Sequence, residues 1–347
     1  LACGFATTVD SQTHHRIITS REVRELESHL QETATEGYRI IGSCSGKLPW
    51  VKAKGAIHLL LESLPETADP PVYVVLGGGG GPADAADLDV MQEKGAVGFG
   101  LADHGVIERW WQTPLWVPVP PSQGMESVII MEMNSPADRW EYAREGFTHV
   151  VGAWPALASR FAEGYRIVAV NARDGAILVR RAGAERAEET DPDRFKVISS
   201  LGKKRLAVKL DSAVAEGFRL VAAVFGVIKG GSIDLLLERV AVPGEDHEYR
   251  FLRPGKKVLS LMNEHGAKGF RVHPTTWWIM DRVPGEKVAY EYRILEAESL
   301  NELAEEMDGA VAEGYRFVRF FSSPPGLLVE RSEPVGTLRT PRGAGDE

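Results

Sequence analysis

The chain has almost no cysteine: two residues in 347, Cys3 and Cys44, which excludes the disulfide framework that staples many small secreted domains. It also lacks a basic excess. A formal net charge of −9 supplies no positive stripe to neutralise phosphates, so a nucleic-acid binder is excluded. Long apolar runs are missing as well. The longest, such as Val221–Ile228, have the length of buried strands and fall far short of the roughly 18 residues a membrane-spanning helix needs. The nine histidines show no metal-ligand spacing; His14 and His15 are adjacent, which sends their rings to opposite sides of an extended chain. No metal and no cofactor are predicted.

What is present is ample for a core: 44% of the residues are hydrophobic and 26% charged, the balance of an ordinary globular protein. The organising signal is an internal repeat. A helical stretch, a glycine and an aromatic opening an apolar strand recur at Gly37-Tyr38, Gly98-Phe99, Gly164-Tyr165, Gly217-Phe218, Gly269-Phe270 and Gly314-Tyr315, with a possible extra copy at Gly146-Phe147. Glycine accepts the left-handed conformation that ends a helix, and the next residue starts the strand. The preceding helices are amphipathic, with stripes at Val23, Leu26, Leu30 and Ala34 and at Leu300, Leu303, Met307, Ala310 and Val311. Ser299 with Glu302, and Thr19 with Glu22, read as capping boxes. A third strand of the type Leu-Leu-x-Glu-Arg closes each unit, as at Leu235–Arg239 and Leu327–Arg331, with a variant at Ile279–Arg282.

The copies are related in order. Ile57–Glu62 matches Ile233–Glu238 at five of six positions, offset by 176; Leu88–Phe99 matches Leu259–Phe270 at seven of twelve, offset by 171; and Ala162–Arg166 is identical to Ala312–Arg316, offset by 150. Units one to three therefore correspond to units four to six. The fall in offset places an insertion between the second and third units, mostly Trp110–Gly124. The prediction is an α+β fold of about six tandem strand–helix–strand–strand units in two pseudo-symmetric halves, sheets packed together and helices outside. Residues 14–182 form the first half (insertion 110–124), 183–193 a linker, 194–332 the second half and 333–347 a disordered tail. A unit of about 45 residues buries too little to fold alone, so the units must pair or close into a ring. Their near-continuous apolar strands also demand burial on both faces.

Tyr290-Glu291-Tyr292-Arg293, the helix, Glu313-Gly314-Tyr315 and Leu327-Leu-Val-Glu-Arg331 resemble a family of small bacterial domains of unknown function. The resemblance implies the strand–helix–strand–strand fold and carries no catalytic residue. Leu1-Ala2-Cys3-Gly4 resembles the end of a bacterial lipoprotein signal peptide, which implies acylation of Cys3 and residues 1–13 as a lipidated tether.

Several patterns are weighed as sites. Gly42-Ser43-Cys44-Ser45-Gly46 has the letters of a nucleophile elbow, but a strand is expected to follow where that motif needs a helix. Gly77–Gly81 lacks the Gly-Lys-Ser/Thr ending of a phosphate loop and reads as a linker. Arginine recurs directly after the aromatic, at Arg39, Arg166, Arg219, Arg271 and Arg316. In a ring these side chains can converge on an anion such as a carboxylate or phosphate; the simpler expectation is pairing with Glu62, Glu238, Asp281 and Glu330 on the third strands. Trp110, Trp111 and Trp116 sit in the insertion that breaks the repeat, where a partner contact is expected, with an envelope protein or a glycan as partner. The resulting expectation is a non-enzymatic scaffold or binding module of the bacterial cell envelope (periplasm or outer membrane), touching the membrane only through its N-terminal lipid. The alternative is an enzyme or small-anion receptor with a site between units.

Overall fold

Six of the predicted glycine–aromatic steps fall where a helix ends. Gly37, Gly98, Gly164, Gly217, Gly269 and Gly314 have φ between 84° and 106°, a region costly for any residue with a Cβ. The computed structural model describes residues 14–45, 56–66, 68–77, 85–108, 125–133, 137–145, 150–171, 175–183, 194–225, 233–239, 247–253, 255–273, 276, 278–322 and 325–334. Cys3, Trp110, Trp111 and Trp116 lie outside them, as do the remainder of the predicted tether and most of the tail and linker.

Six units follow one another. The first is β1 (His15–Ser20), α1 (Val23–Thr35), β2 (Tyr38–Ser45) and β3 (Ile57–Ser63). The second is β4 (Tyr73–Gly77), α2 (Ala85–Ala96), β5 (Phe99–Glu108) and β6 (Met125–Met133). The third is β7 (Trp140–Glu145), α3 (Val150–Ala162), β8 (Arg166–Asn171) and β9 (Gly175–Arg181). The fourth is β10 (Phe195–Ser200), α4 (Lys203–Ala215), β11 (Phe218–Phe225) and β12 (Ile233–Arg239). The fifth is β13 (Glu248–Phe251), α5 (Val258–Gly266), β14 (Arg271–Val272) and β15 (Ile279–Arg282). The sixth is β16 (Val288–Leu295), α6 (Leu300–Ala312), β17 (Arg316–Ser322) and β18 (Pro325–Pro334). In each unit the third strand lies between the first and second and runs antiparallel to both. Trp110–Gly124 falls between β5 and β6, inside the second unit rather than between the second and third. Gly146-Phe147, the possible extra copy of the step, lies outside the described residues. β18 runs to Pro334, pairing Glu333 with Ala289 and Pro334 with Val288, and so takes in the first two residues of the expected tail.

Two predicted helix starts behave differently. Ser299 Oγ accepts from the Glu302 amide at 3.2 Å, while the Glu302 carboxylate reaches the Glu298 amide at 3.0 Å. In the first unit Thr19 instead pairs with His58 Nδ1 at 2.7 Å, and Ser20 accepts from the Glu22 amide at 3.1 Å and donates to Glu25 at 2.8 Å. Thr19 is spent because it lies on β1, one strand from His58 in register.

The units close into a ring. α1 packs on β4, α2 on β7, α3 and α4 on β10, α4 also on β13, α5 on β16, and α6 on β1. The last contact joins the end of the chain to its beginning. Each hydrophobic core is shared accordingly. Leu26 and Leu30 of α1 meet Tyr73, Val128 and Ile130 of the second unit, and Leu303 and Met307 of α6 meet Ile17 and Leu60 of the first. The central strands are buried on both faces: Ile57, Leu59 and Leu61 face their own helix, and Leu60 faces α6. A polar side chain clasps each of four junctions. Gln31 donates to the Tyr73 carbonyl at 2.7 Å, Gln92 accepts from the Tyr142 amide at 3.2 Å, Asn263 accepts from the Tyr292 amide at 2.7 Å, and Asp308 accepts from the His15 amide at 2.7 Å. All four occupy the same helical position, six residues before the helix-ending glycine, so the ring closes with the same clasp that joins its interior units.

Helix glycines show how close the units come. A Cβ at Gly95 would strike the Trp140 carbonyl oxygen, and one at Gly266 the Tyr290 carbonyl oxygen. These positions are separated by the same offset of 171 that relates the second and fifth units in sequence. A Cβ at Gly42 would run into the Phe317 ring across the closing junction. That glycine is set by packing, and the strand β3 rather than a helix follows the Gly-Ser-Cys-Ser-Gly letters.

Candidate functional site

At every junction between units the same three sheet positions stand in one row: first strand, central strand, second strand. The rows are His15–Glu62–Arg39, Tyr73–Glu132–Gly100, Tyr142–Val179–Arg166, Phe195–Glu238–Arg219, Tyr249–Asp281–Arg271 and Tyr292–Glu330–Arg316. These row residues face the preceding unit. Tyr73, Tyr142, Tyr249 and Tyr292 insert into its core, while His15 meets α6 through Asp308 at 2.6 Å.

The tyrosines answer a backbone need. The second strands of five units carry a register shift, as between Ile40 and Gly42 and between Leu220 and Ala222. A bulge disrupts the ladder and leaves backbone groups to satisfy. Tyr73 accepts from the Ile40 amide at 3.0 Å, Tyr249 from Leu220 at 2.8 Å and Tyr292 from Val272 at 2.9 Å, and Tyr142 donates to the Phe99 carbonyl at 3.1 Å. Burial pushes the Tyr142 phenol up to about 12 and also raises those of Tyr73, Tyr249 and Tyr292. They are fixed neutral hydrogen-bonding groups, not proton shuttles.

The recurrent arginines meet acids. Arg39 reaches Glu62 at 2.6 Å, Arg219 reaches Glu238 at 3.2 Å and Arg316 reaches Glu330 at 2.7 Å, each within its own unit. Arg271 passes over its own Asp281 and bonds Glu330 of the next unit at 2.9 Å. Two guanidiniums therefore share Oε1 of a carboxylate whose side chain is 1% exposed. Its Oε2 is buried with no hydrogen-bond partner among the described residues. Burial raises the Glu132 carboxyl, and the Arg39 charge opposes that rise across a junction. The rows hold five arginines and five acids, so they carry no net charge. Arg166 stands apart. Its row has Val179 in place of an acid, and its guanidinium lies 6.0 Å from the Trp140 ring, exposed and with no ion-pair partner among the described residues.

A second set of arginines, those towards the ends of the third strands, was visible in the sequence only as a repeated letter. Arg180, Arg239, Arg282 and Arg331 donate to the carbonyls of Glu163, Glu216, Lys268 and Glu313, just before the helix-ending glycines. They also lie 4.5–5.0 Å over the aromatics after those glycines, Tyr165, Phe218, Phe270 and Tyr315. One side chain thus satisfies orphan carbonyls at the negative end of the helix and stacks on a ring. A second cation lies over each of these four rings: Arg160 over Tyr165, Lys196 over Phe218, Arg250 over Phe270 and Arg293 over Tyr315.

Among the described residues no group of three or more ligating side chains is placed to hold a metal ion, and no helix is long and apolar enough to cross a membrane. No protein-family model, curated protein or solved structure matches the chain.

Proposed function

We propose that this protein is a rigid, non-enzymatic binding scaffold of a bacterial cell envelope, held to the membrane by a lipid on Cys3. One observation carries the scaffold reading. Charged and phenolic groups buried between units take part in building the ring, as in the two arginines on Glu330 and the tyrosines on second-strand amides. An enzyme of this architecture would keep a buried ionisable group in reserve at a junction. The Leu-Ala-Cys-Gly letters support the anchor, and Trp110, Trp111 and Trp116 are the proposed contact for an envelope protein or glycan. Expressed in a bacterial host with radioactive palmitate, the full-length gene product should take up label and the Cys3→Ala variant should not. An unlabelled parent protein removes the anchor from the reading.

Arg166 favours a second reading, a small-anion receptor, because its row lacks the balancing acid. Titrating the protein with phosphate or a short dicarboxylate should then release heat that Arg166→Gln abolishes. Equal heats from the two proteins, or none from either, remove the receptor.

A further inference from the structure

Gly309 sits in the last turn of α6 on its exposed side, and a Cβ there would meet nothing within 4 Å. That is unlike Gly95 and Gly266, whose bare Cα atoms admit the backbone of a neighbouring unit. A helix gains from alanine at an unconstrained site, so Gly309 has no reason inside the molecule. It lines an open groove of about 530 Å³ along α6, with Ala310 beside it and Glu302, Glu305, Glu306 and Glu313 around it. Glu305 and Glu306 have no ion-pair partner among the described residues.

The complementary surface is on the same chain. Lys204, Arg205 and Val208 fall on one face of α4 at the spacing of a helical stripe, and Leu201 precedes its N-cap, Gly202. Lys204 and Arg205 are exposed, with no ion-pair partner among the described residues. Leu201 is 75% and Val208 69% exposed, two of only four large hydrophobics so exposed among the described residues. Lys203 and Lys209, by contrast, are tied to the carbonyls of Leu252 and Ser199.

We propose that α4 of one copy docks in the α6 groove of a second copy. Lys204 and Arg205 face Glu305 and Glu306, and the two apolar side chains lie over Gly309 and Ala310, where the missing Cβ lets the helices approach. The groove and the helix face are different surfaces of one molecule, so the contact is head-to-tail and each bound copy presents a fresh groove or a fresh α4. This rests on the scaffold reading and extends it, from a ring that binds to a ring that strings together. It does not depend on the lipid.

Sedimentation velocity on the full chain carrying Cys3→Ser, which keeps acyl chains out of the association, tests it. At low salt the mean mass should climb with concentration past that of a dimer, and 0.5 M salt should weaken association at least tenfold by screening. Lys204→Ala with Arg205→Ala, or Glu305→Ala with Glu306→Ala, should each weaken it at least tenfold. An equimolar mixture of the two double variants should stop at dimers, because only one intact pair of surfaces remains. Gly309→Leu should abolish assembly without lowering Tm. A chain that stays monomeric at low salt, a twofold dimer that the substitutions leave intact, or a monomer whose α4 instead binds anionic vesicles overturns the proposal.

Discussion

Replacing Arg271 and Arg316 together by alanine is expected to destabilise the ring by about 3–5 kcal/mol, the usual cost of stripping a buried charge of its partners. Both guanidiniums end on one oxygen of Glu330, and its other oxygen has no hydrogen-bond partner among the described residues. The double variant therefore strands a carboxylate in the junction between the fifth and sixth units. Each single variant should cost much less, since the other arginine remains on Glu330 and each guanidinium is about half-exposed to water. Thermal melts of the four proteins in a double-mutant cycle give the coupling directly. If the double loss equals the sum of two small ones, Glu330 is not held as described.

Leu60→Ala should cost about 2–5 kcal/mol, as expected for a fully buried leucine. The more telling expectation is where the loss appears. Leu60 belongs to the first unit, yet it packs with Leu303 and Met307 of α6 and leaves its own helix to Ile57, Leu59 and Leu61. Hydrogen exchange should quicken in α6 and β1 together, and in α6 more than in α1. Exchange confined to the first two units would mean the ring is open at that seam.

The unit was legible in the sequence because its signals are local. A glycine after an amphipathic stripe ends a helix whatever surrounds it, and all six steps were found on that ground. The unbroken apolar run Ile57–Leu61 likewise announced a strand buried on both faces. Closure into a ring was not legible, since it depends on the angle between rigid neighbours, summed over six junctions. The clasp residues Gln31, Gln92, Asn263 and Asp308 hold that angle, but as three different letters on polar helix faces they look like solvent-facing residues. The insertion was misplaced for a related reason. A change of offset between Phe99 and Ala162 confines it to an interval, and only the pairing of β5 with β6 shows which side of the unit boundary it falls on. At the candidate site, pairing of the repeated arginines with third-strand acids was readable from cross-strand logic. The step of Arg271 to the next unit's Glu330 was not, because it crosses the junction.

Because α6 does for β1 what each other helix does for the strand after it, none of the six described units is a terminal repeat. Open solenoids shed or gain modules at exposed ends and must cap those ends with polar faces. Here copy number is fixed by geometry: a five- or seven-membered version would have to change every inter-unit angle at once. Evolution of this chain is therefore confined to altering letters within modules and enlarging their connections, as the stretch between β5 and β6 has been enlarged.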